Sequence, residues 1–436
     1  MIDVFEDAAF RRYTDYLRKL IAHKSVFTDD RGITKAIAFC QEALGRNLPE
    51  RANYRDELGN LVSVSRAFDR NRNAVFLCAH VDTVDADPEE WRSSSNPFAP
   101  VETDTHVIGR GANDCKAGVA LMLFLSHLTD RIPLDNVVLL FSFREEGNQA
   151  KTSTAIGAAL GRDIALSKTA NLMLCLENTT RPGAPVTVQA YDCEPCNAFI
   201  AVTDTLDALR ALLRREPAFK TVFVKPLMED FEPAAVHTGL SGHIATIANA
   251  DNVIQQAILS DQGAVIAGGD PVQTSVLHNQ VRVADLDAPI RHMAILNYRG
   301  MTDIDDLKRK LAGVTYEEYF PFDFAAGSDR RPWLQGSQAR KVIEAVAGNH
   351  VRLEFVANPG RSDASAIWNA TTKRDNLSIY TMGPGSRSHA DDGVMRKTHG
   401  PDEGFEKASG RLAVRYILNV VHQFLKDEPN AVAIHH

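Results

Sequence analysis

The 436-residue chain lacks any run of about 18 consecutive apolar residues, so no membrane-spanning helix is expected. It lacks an excess of positive charge. There are 48 Lys and Arg against 56 Asp and Glu, a formal net charge of -8, which disfavours a phosphate backbone as ligand and argues against a nucleic-acid partner. A small anionic substrate stays compatible with this balance, because a local pocket can have the opposite sign to the whole. The start of the chain carries acidic residues early and has no basic stretch followed by an apolar core, so it does not read as a secretory signal. Phe5, Phe10, Leu17 and Leu20 fall instead at the spacing of an amphipathic helix. The six cysteines (Cys40, Cys78, Cys115, Cys175, Cys193 and Cys196) form no disulfide framework and read as reduced thiols of a cytoplasmic protein. Cys193 and Cys196 make a CxxC, but no second CxxC or histidine pair follows at zinc-finger spacing, so an ordinary thiol pair is the reading and a redox or metal role the alternative. No internal repeat or low-complexity segment is present.

What is there fits a globular protein: 44% apolar and 24% charged residues, in a chain longer than one hydrophobic core usually serves. The first 180 or so residues alternate strand and helix patterns. AVFLCAHVD (residues 74–82), NVVLLFSFREE (136–146) and NLMLCLEN (171–178) are continuous apolar runs ending in polar residues, as buried parallel strands do. KAGVALMLFLSHL (116–128) is rich in helix formers. Strand and helix in turn imply a mostly parallel sheet with helices on both faces. A turn-rich RPGAP (181–185) then marks a change of style. VTVQAY, NAFIAVT and HMAILNYRG read as strands of a half-exposed sheet, with TLDALRALLRRE and TDIDDLKRKLAG as helices, and the stretch from about 229 to 286 has no resolvable pattern. SQARKVIEAVAG, VRLEFVAN, DNLSIYTMGPG and GRLAVRYILNVVHQFL return to the first style as helix, strand, strand ending in a glycine turn, and closing helix. The expectation is an α/β catalytic domain (1–181 and 326–436) interrupted by a smaller α+β domain (182–325).

Residues able to hold metal sit at the ends of the buried strands. They are His80 and Asp82 in AHVDTV, Asp114 in GRGANDCKAG, Glu145 and Glu146 in FSFREEGN, Glu177 in LCLEN, and His389 in GPGSRSHADDGV. The carboxyl ends of parallel strands share one edge of the sheet, so residues far apart in sequence can converge there. Imidazole nitrogen and carboxylate oxygen are both good zinc ligands. Two histidines and three carboxylates suffice for two ions about 3.5–4 Å apart, with an anionic bridge between them, and Asp114 on its glycine-rich turn suits the bridge. Glu145 is then free as general base. If the strand continues, Glu145 and Glu146 point to opposite sides and do different jobs. Asp82, two residues from His80, can accept the other ring N–H and fix the tautomer. The ordinary alternatives are Asp114 as a helix N-cap, Glu145-Glu146 as a solvated loop, and SRSH as a plain turn.

With these segments in view, the chain resembles the co-catalytic metallopeptidase family that includes acetylornithine deacetylase, succinyl-diaminopimelate desuccinylase, aminoacylase and glutamate carboxypeptidase. AHVDTVDADPEEWRSSSNPF (79–98), HVIGRGANDCKAGVALML, FSFREEGN, GRSDASAI (360–367) and GPGSRSHADDGV carry the resemblance. It implies that His80, Asp114 and Glu177 bind one metal, and that Asp114, Glu146 and His389 bind the other. It implies Glu145 as general base, Asp82 as the residue orienting His80, and a cis peptide at Asp114-Cys115. The metals would be two divalent ions, zinc first, cobalt or manganese next. The inserted domain would serve as lid and as the surface of a homodimer.

The sequence departs from the family's pattern at Arg144, where an acidic or small polar residue is usual, and at Cys115, where methionine is commoner. Asn297 and Arg299 in LNYRG resemble an Asn-x-Arg that grips a substrate carboxylate, with an exposed strand end as the alternative. His237 and His243 are candidates for a lid histidine. The implied activity is hydrolysis of an amide bond in a small molecule, first of all an N-acyl amino acid. Peptidase action on di- or tripeptides, attack on a non-peptide substrate, and a non-catalytic binding homologue are the rival expectations.

Overall fold

The structure, a computed structural model, describes residues 7–146, 151–181, 186–193, 196–202, 219–227, 257–259, 265–267, 291–300, 316–318, 337–348, 351–358, 363–373, 375–386, 388–389, 395–396 and 398–427. The chain divides into two compact units. One comprises Met1–Cys193, Arg331–Ala357 and Ser362–His436, and the other Glu194–Arg330 with Asn358–Arg361. The division falls later than the turn-rich RPGAP stretch suggests, because the strand after that stretch joins the sheet of the first unit.

The strands of the first unit are, in chain order, β1 (Arg51–Arg55), β2 (Leu61–Ser65), β3 (Ala74–His80), β4 (Val101–Glu102), β5 (His106–Ile108), β6 (Val137–Ser142), β7 (Asn171–Arg181) and β8 (Val186–Cys193). β9 (Cys196–Val202), β10 (Phe219–Leu227), β11 (Ala257–Leu259), β12 (Val265–Ala267), β13 (Arg291–Gly300) and β14 (Tyr316–Glu318) belong to the second unit. The chain then returns through β15 (Val351–Asn358), β16 (Leu377–Ser386), β17 (Ser388–His389), β18 (Met395–Arg396) and β19 (Gly404–Glu406). The described helices are α1 (Asp7–Ala22), α2 (Asp30–Asn47), α3 (Lys116–Leu125), α4 (Lys151–Ala159), α5 (Ser337–Ala347), α6 (Asp363–Ala370) and α7 (Lys407–Lys426). No helix among the described residues is long and apolar enough to cross a membrane.

Eight strands form the central sheet of the first unit in the order β1-β2-β6-β3-β7-β16-β8-β15. Its middle, β6-β3-β7-β16, is parallel, and β1 and β2 close one side antiparallel. Burial on both faces explains the continuous apolar runs. Val75, Leu77 and Ala79 of β3 enter one core, together with residues of α1, α2, α3 and α7. Phe76 and Cys78 enter another, with Ile156 and Leu160 near α4 and Ile367 of α6. Residues of β6 and β7 alternate the same way: Leu139 and Leu174 face the first core, Leu140 and Cys175 the second. The second unit, taken by itself, holds a four-stranded antiparallel sheet ordered β10-β13-β9-β14 and the β11–β12 pair.

The GPG segment read as a turn is part of β16, which continues through it to Ser386. A side chain does not fit at Gly383: a Cβ there would lie 1.8 Å from the Glu177 carbonyl oxygen. Gly383→Ala is expected to lose about 3 kcal/mol or more, since main-chain atoms cannot step aside. Gly45, exposed on α2 with nothing within 4 Å of its notional Cβ, makes the matched control. Gly45→Ala should gain about 0.5–1 kcal/mol in the same denaturant-unfolding measurement.

Candidate metal centre

The parallel register sets the site. His80, the last residue of β3, is level with Ser142, the last of β6. Cys78 of β3 and Thr381 of β16 are both level with Cys175 of β7, so Glu177 emerges two residues later on the same edge. β6 stops at Ser142, so strand alternation does not govern Glu145 and Glu146. The turn they occupy is held by Asp82 instead. The Glu145 N–H donates to Asp82 Oδ1 at 2.9 Å and the Glu146 N–H to Oδ2 at 3.0 Å. The same Oδ1 lies 3.2 Å from His80 Nδ1, which also approaches the Asp82 carbonyl at 3.1 Å. Asp82 therefore fixes the His80 ring and both glutamates at once, two contacts more than its spacing from His80 suggested.

Asp114 lies on the turn before α3, and the peptide to Cys115 is cis. Cys115, not Asp114, holds the N-cap position of that helix. The Asp114 carboxylate is turned to two imidazoles: Oδ1 is 2.9 Å from His80 Nε2 and Oδ2 is 3.3 Å from His399 Nε2. His399 Nε2 is also 3.0 Å from Glu146 Oε1. Two groups of three donors result, each within 4.8 Å: His80, Asp114 and Cys115, and Asp114, Glu146 and His399. Glu177 stands beside them with Oε1 accepting the Asp363 N–H at 3.3 Å, and belongs to neither group.

Among the described residues the imidazole beside Glu146 is His399, a residue the sequence reading did not name; it pointed to His389 for this position. His389 is on β17, and its side chain lies outside the described residues. His399 is missed by strand-end reasoning because it sits in a tight turn with φ 62°. Its placement comes from Glu403, a fully buried carboxylate. Glu403 accepts Arg110 Nη1 at 2.8 Å and the N–H groups of Gly111, Asn113 and Asp114 at 3.1, 2.9 and 3.1 Å. Arg110 Nη2 in turn donates to the His399 carbonyl at 3.2 Å, and its guanidinium lies over Trp91. Asp402 accepts the N–H groups of Arg92 and Ser93, fastening the same turn to the WRSSSNPF segment. The legible signal was the acidic pair two residues beyond His399-Gly400, in HGPDE. Asn297 and Arg299 lie on β13, level with Phe199 and Asn197 of β9, with side chains outside the described residues; His237 and His243 also lie outside them.

The carboxylates and imidazoles shift one another's protonation. Burial, and then the neighbouring carboxylates, push Glu177 well above the usual carboxylate range. Glu145 is raised in the same way, by burial first, against the pull of His80. Burial also raises Asp114, but hydrogen bonds to His399 and His80 outweigh it and hold the carboxyl well below its ordinary value. Burial works against charge on His399, yet Glu146 and Asp114 prevail and raise the imidazole well above its usual value. Five carboxylates, Asp82, Asp114, Glu145, Glu146 and Glu177, crowd two imidazoles, and Asp114 offers an oxygen to each. This donor set fits two divalent ions sharing Asp114.

Lys116 is buried beneath this turn, its Nζ donating to the His23 carbonyl at 2.8 Å. Burial lowers the ammonium from 10.5 to about 7, although Glu403 and Asp82 pull the other way. Between those values the unfolded chain holds the proton and the folded one does not, so this residue makes stability rise with pH. From about pH 7 to about pH 10 the wild type should gain stability relative to Lys116→Met, measured by denaturant unfolding of both proteins.

Residues 76–423 match the model of peptidase family M20/M25/M40. The chain belongs to this family of metal-dependent hydrolases. Over 148 residues it is 36% identical to a succinyl-diaminopimelate desuccinylase of Acidovorax ebreus, a match covering 30% of this chain and 35% of the relative. The chain thus matches about a third of that curated relative's length. The fold is shared with human carnosine dipeptidase 1, at a TM-score of 0.59 and 12% identity over 97% of this chain and 98% of that one. It is shared too with Bacillus subtilis YXEP, a dinuclear metal-binding peptidase, at a TM-score of 0.52 and 13% identity over 96% and 99%.

Proposed function

We propose that this chain hydrolyses an amide bond in a small substrate, with N-acyl amino acids as the first class, using two divalent ions. His80, Asp114 and Glu177 would hold one ion and Asp114, Glu146 and His399 the other, with Asp114 shared. The observation that carries this reading is the Asp114 carboxylate, whose two oxygens face two different imidazoles at 2.9 and 3.3 Å. Bound there, the ions supply a water of lowered pKa and a Lewis acid for the scissile carbonyl. Glu145 accepts the proton of the attacking water and returns it to the leaving nitrogen, a role suited to a carboxylate raised by its surroundings. Asp82 keeps the His80 tautomer fixed, with Nδ1 turned to itself and Nε2 turned to Asp114.

Zinc is the first choice of ion, since nitrogen and carboxylate donors suit it. Pairing of two chains through the inserted domain is part of the same reading. Asn297 and Arg299, and His237 or His243, are its candidates for substrate contact. The test combines metal analysis of the purified chain with a hydrolysis panel of N-acyl amino acids, dipeptides and non-peptide amides. About two ions per chain with turnover of an N-acyl amino acid is the expected result. Turnover of dipeptides alone moves the chain to the peptidase class, and bound metal with no amide hydrolysed across the panel sinks the enzymatic reading.

A further inference from the structure

The two donor groups around Asp114 differ chemically. Around His399 the donors are nitrogen and oxygen only. Around His80 the third donor is sulfur: Cys115 Sγ, the His80 ring nitrogen and an Asp114 oxygen lie within 4.8 Å of one another. Cys115 is fully buried, and its thiol makes a long hydrogen bond of 3.6 Å to the Leu176 carbonyl. The other cysteines with described side chains, Cys40, Cys78 and Cys175, are equally buried but join no such donor group. Glu177, meanwhile, has an oxygen engaged with the Asp363 N–H and is not the donor nearest to His80. Sulfur and nitrogen bound to one zinc ion stand about 3.5 Å apart, so the observed envelope closes with a small side-chain movement.

We infer that Cys115 is a thiolate ligand of the ion held by His80 and Asp114. The inference rests on the dinuclear reading of the site and sets its two positions apart. The position at His80 has nitrogen, oxygen and sulfur donors and selects soft or borderline ions such as zinc or cadmium. The position at His399 has one nitrogen and carboxylate oxygens and accepts harder ions such as manganese. As the metal–sulfur bond forms, the S–H bond breaks, and its proton leaves to buffer. The metals at this centre are then not interchangeable, and loading is sequential for a soft ion.

The experiment titrates the chelator-treated full chain with cobalt(II) and follows near-ultraviolet absorbance together with bound-metal content. The wild type should bind two cobalt ions and develop a thiolate-to-cobalt charge-transfer band that saturates at one equivalent. Cys115→Met and Cys115→Ser should bind cobalt without that band, and the methionine variant places at this position the residue commoner in the family. The double variant Cys193→Ser with Cys196→Ser should keep the band, which separates Cys115 from the CxxC thiols. Two cobalt ions bound with no band, or a band that persists in both Cys115 variants, overturns the thiolate assignment and leaves the dinuclear reading standing. A chain that binds no cobalt overturns both.

Discussion

Glu145→Gln is expected to bind as much metal as the wild type and to lose about 10²–10⁴ of its turnover. The substitution removes the proton acceptor and changes little else. The Glu145 main chain is held from outside its own side chain, by the 2.9 Å hydrogen bond from its N–H to Asp82. Its carboxyl also belongs to neither donor group. Wild-type turnover should fall as the pH drops through the raised pKa of Glu145, since the protonated acid cannot accept a further proton. Metal analysis alongside the pH dependence of kcat for both proteins checks this. A variant that keeps its metal and its turnover would take Glu145 out of the reaction. Loss of metal together with turnover would make it a structural residue of the cluster.

The second large effect is at His399. His399→Ala should lower the bound metal from about two ions per chain to about one and reduce turnover at least as far as Glu145→Gln does. The imidazole touches both Glu146 and Asp114, at 3.0 and 3.3 Å, so its loss removes the nitrogen donor of the second position. His389→Ala, carrying the alternative that the sequence suggested, should leave the metal content unchanged. Metal analysis at low free zinc distinguishes the two histidines. The reverse pattern would return the second position to His389.

Most of the fold was legible because burial on both faces writes itself as unbroken apolar runs such as AVFLCAH and NLMLCL. The site was legible as far as it follows from topology: His80, Glu145 and Glu146 lie at or just past strand ends, and parallel strands end on one edge, whereas Glu177 lies within β7, which runs on past it to Arg181. What spacing did not show depends on contacts across the chain. His399 is placed by Glu403 reaching back to the N–H groups of the Asp114 turn, nearly three hundred residues earlier. The GPG segment reads locally as a turn, yet it is a strand because Gly383 and Gly385 admit the Glu177 and Asn113 main chains at close range. The sulfur beside His80 was visible only as a departure at Cys115, since its meaning comes from a neighbour thirty-five positions away.

The place of β16 in the sheet bears on how the protein is made. It pairs along β7, yet roughly two hundred residues separate the end of β7 from its own start. At about 5–20 residues per second, a ribosome needs on the order of 10–40 s to cover that distance. For that interval the growing chain presents an open flank of β7 to any passing strand, and His399 has not yet been translated. A ribosome-bound fragment therefore cannot complete its metal site, and holdase chaperones would find their target on that bare flank rather than on the finished molecule.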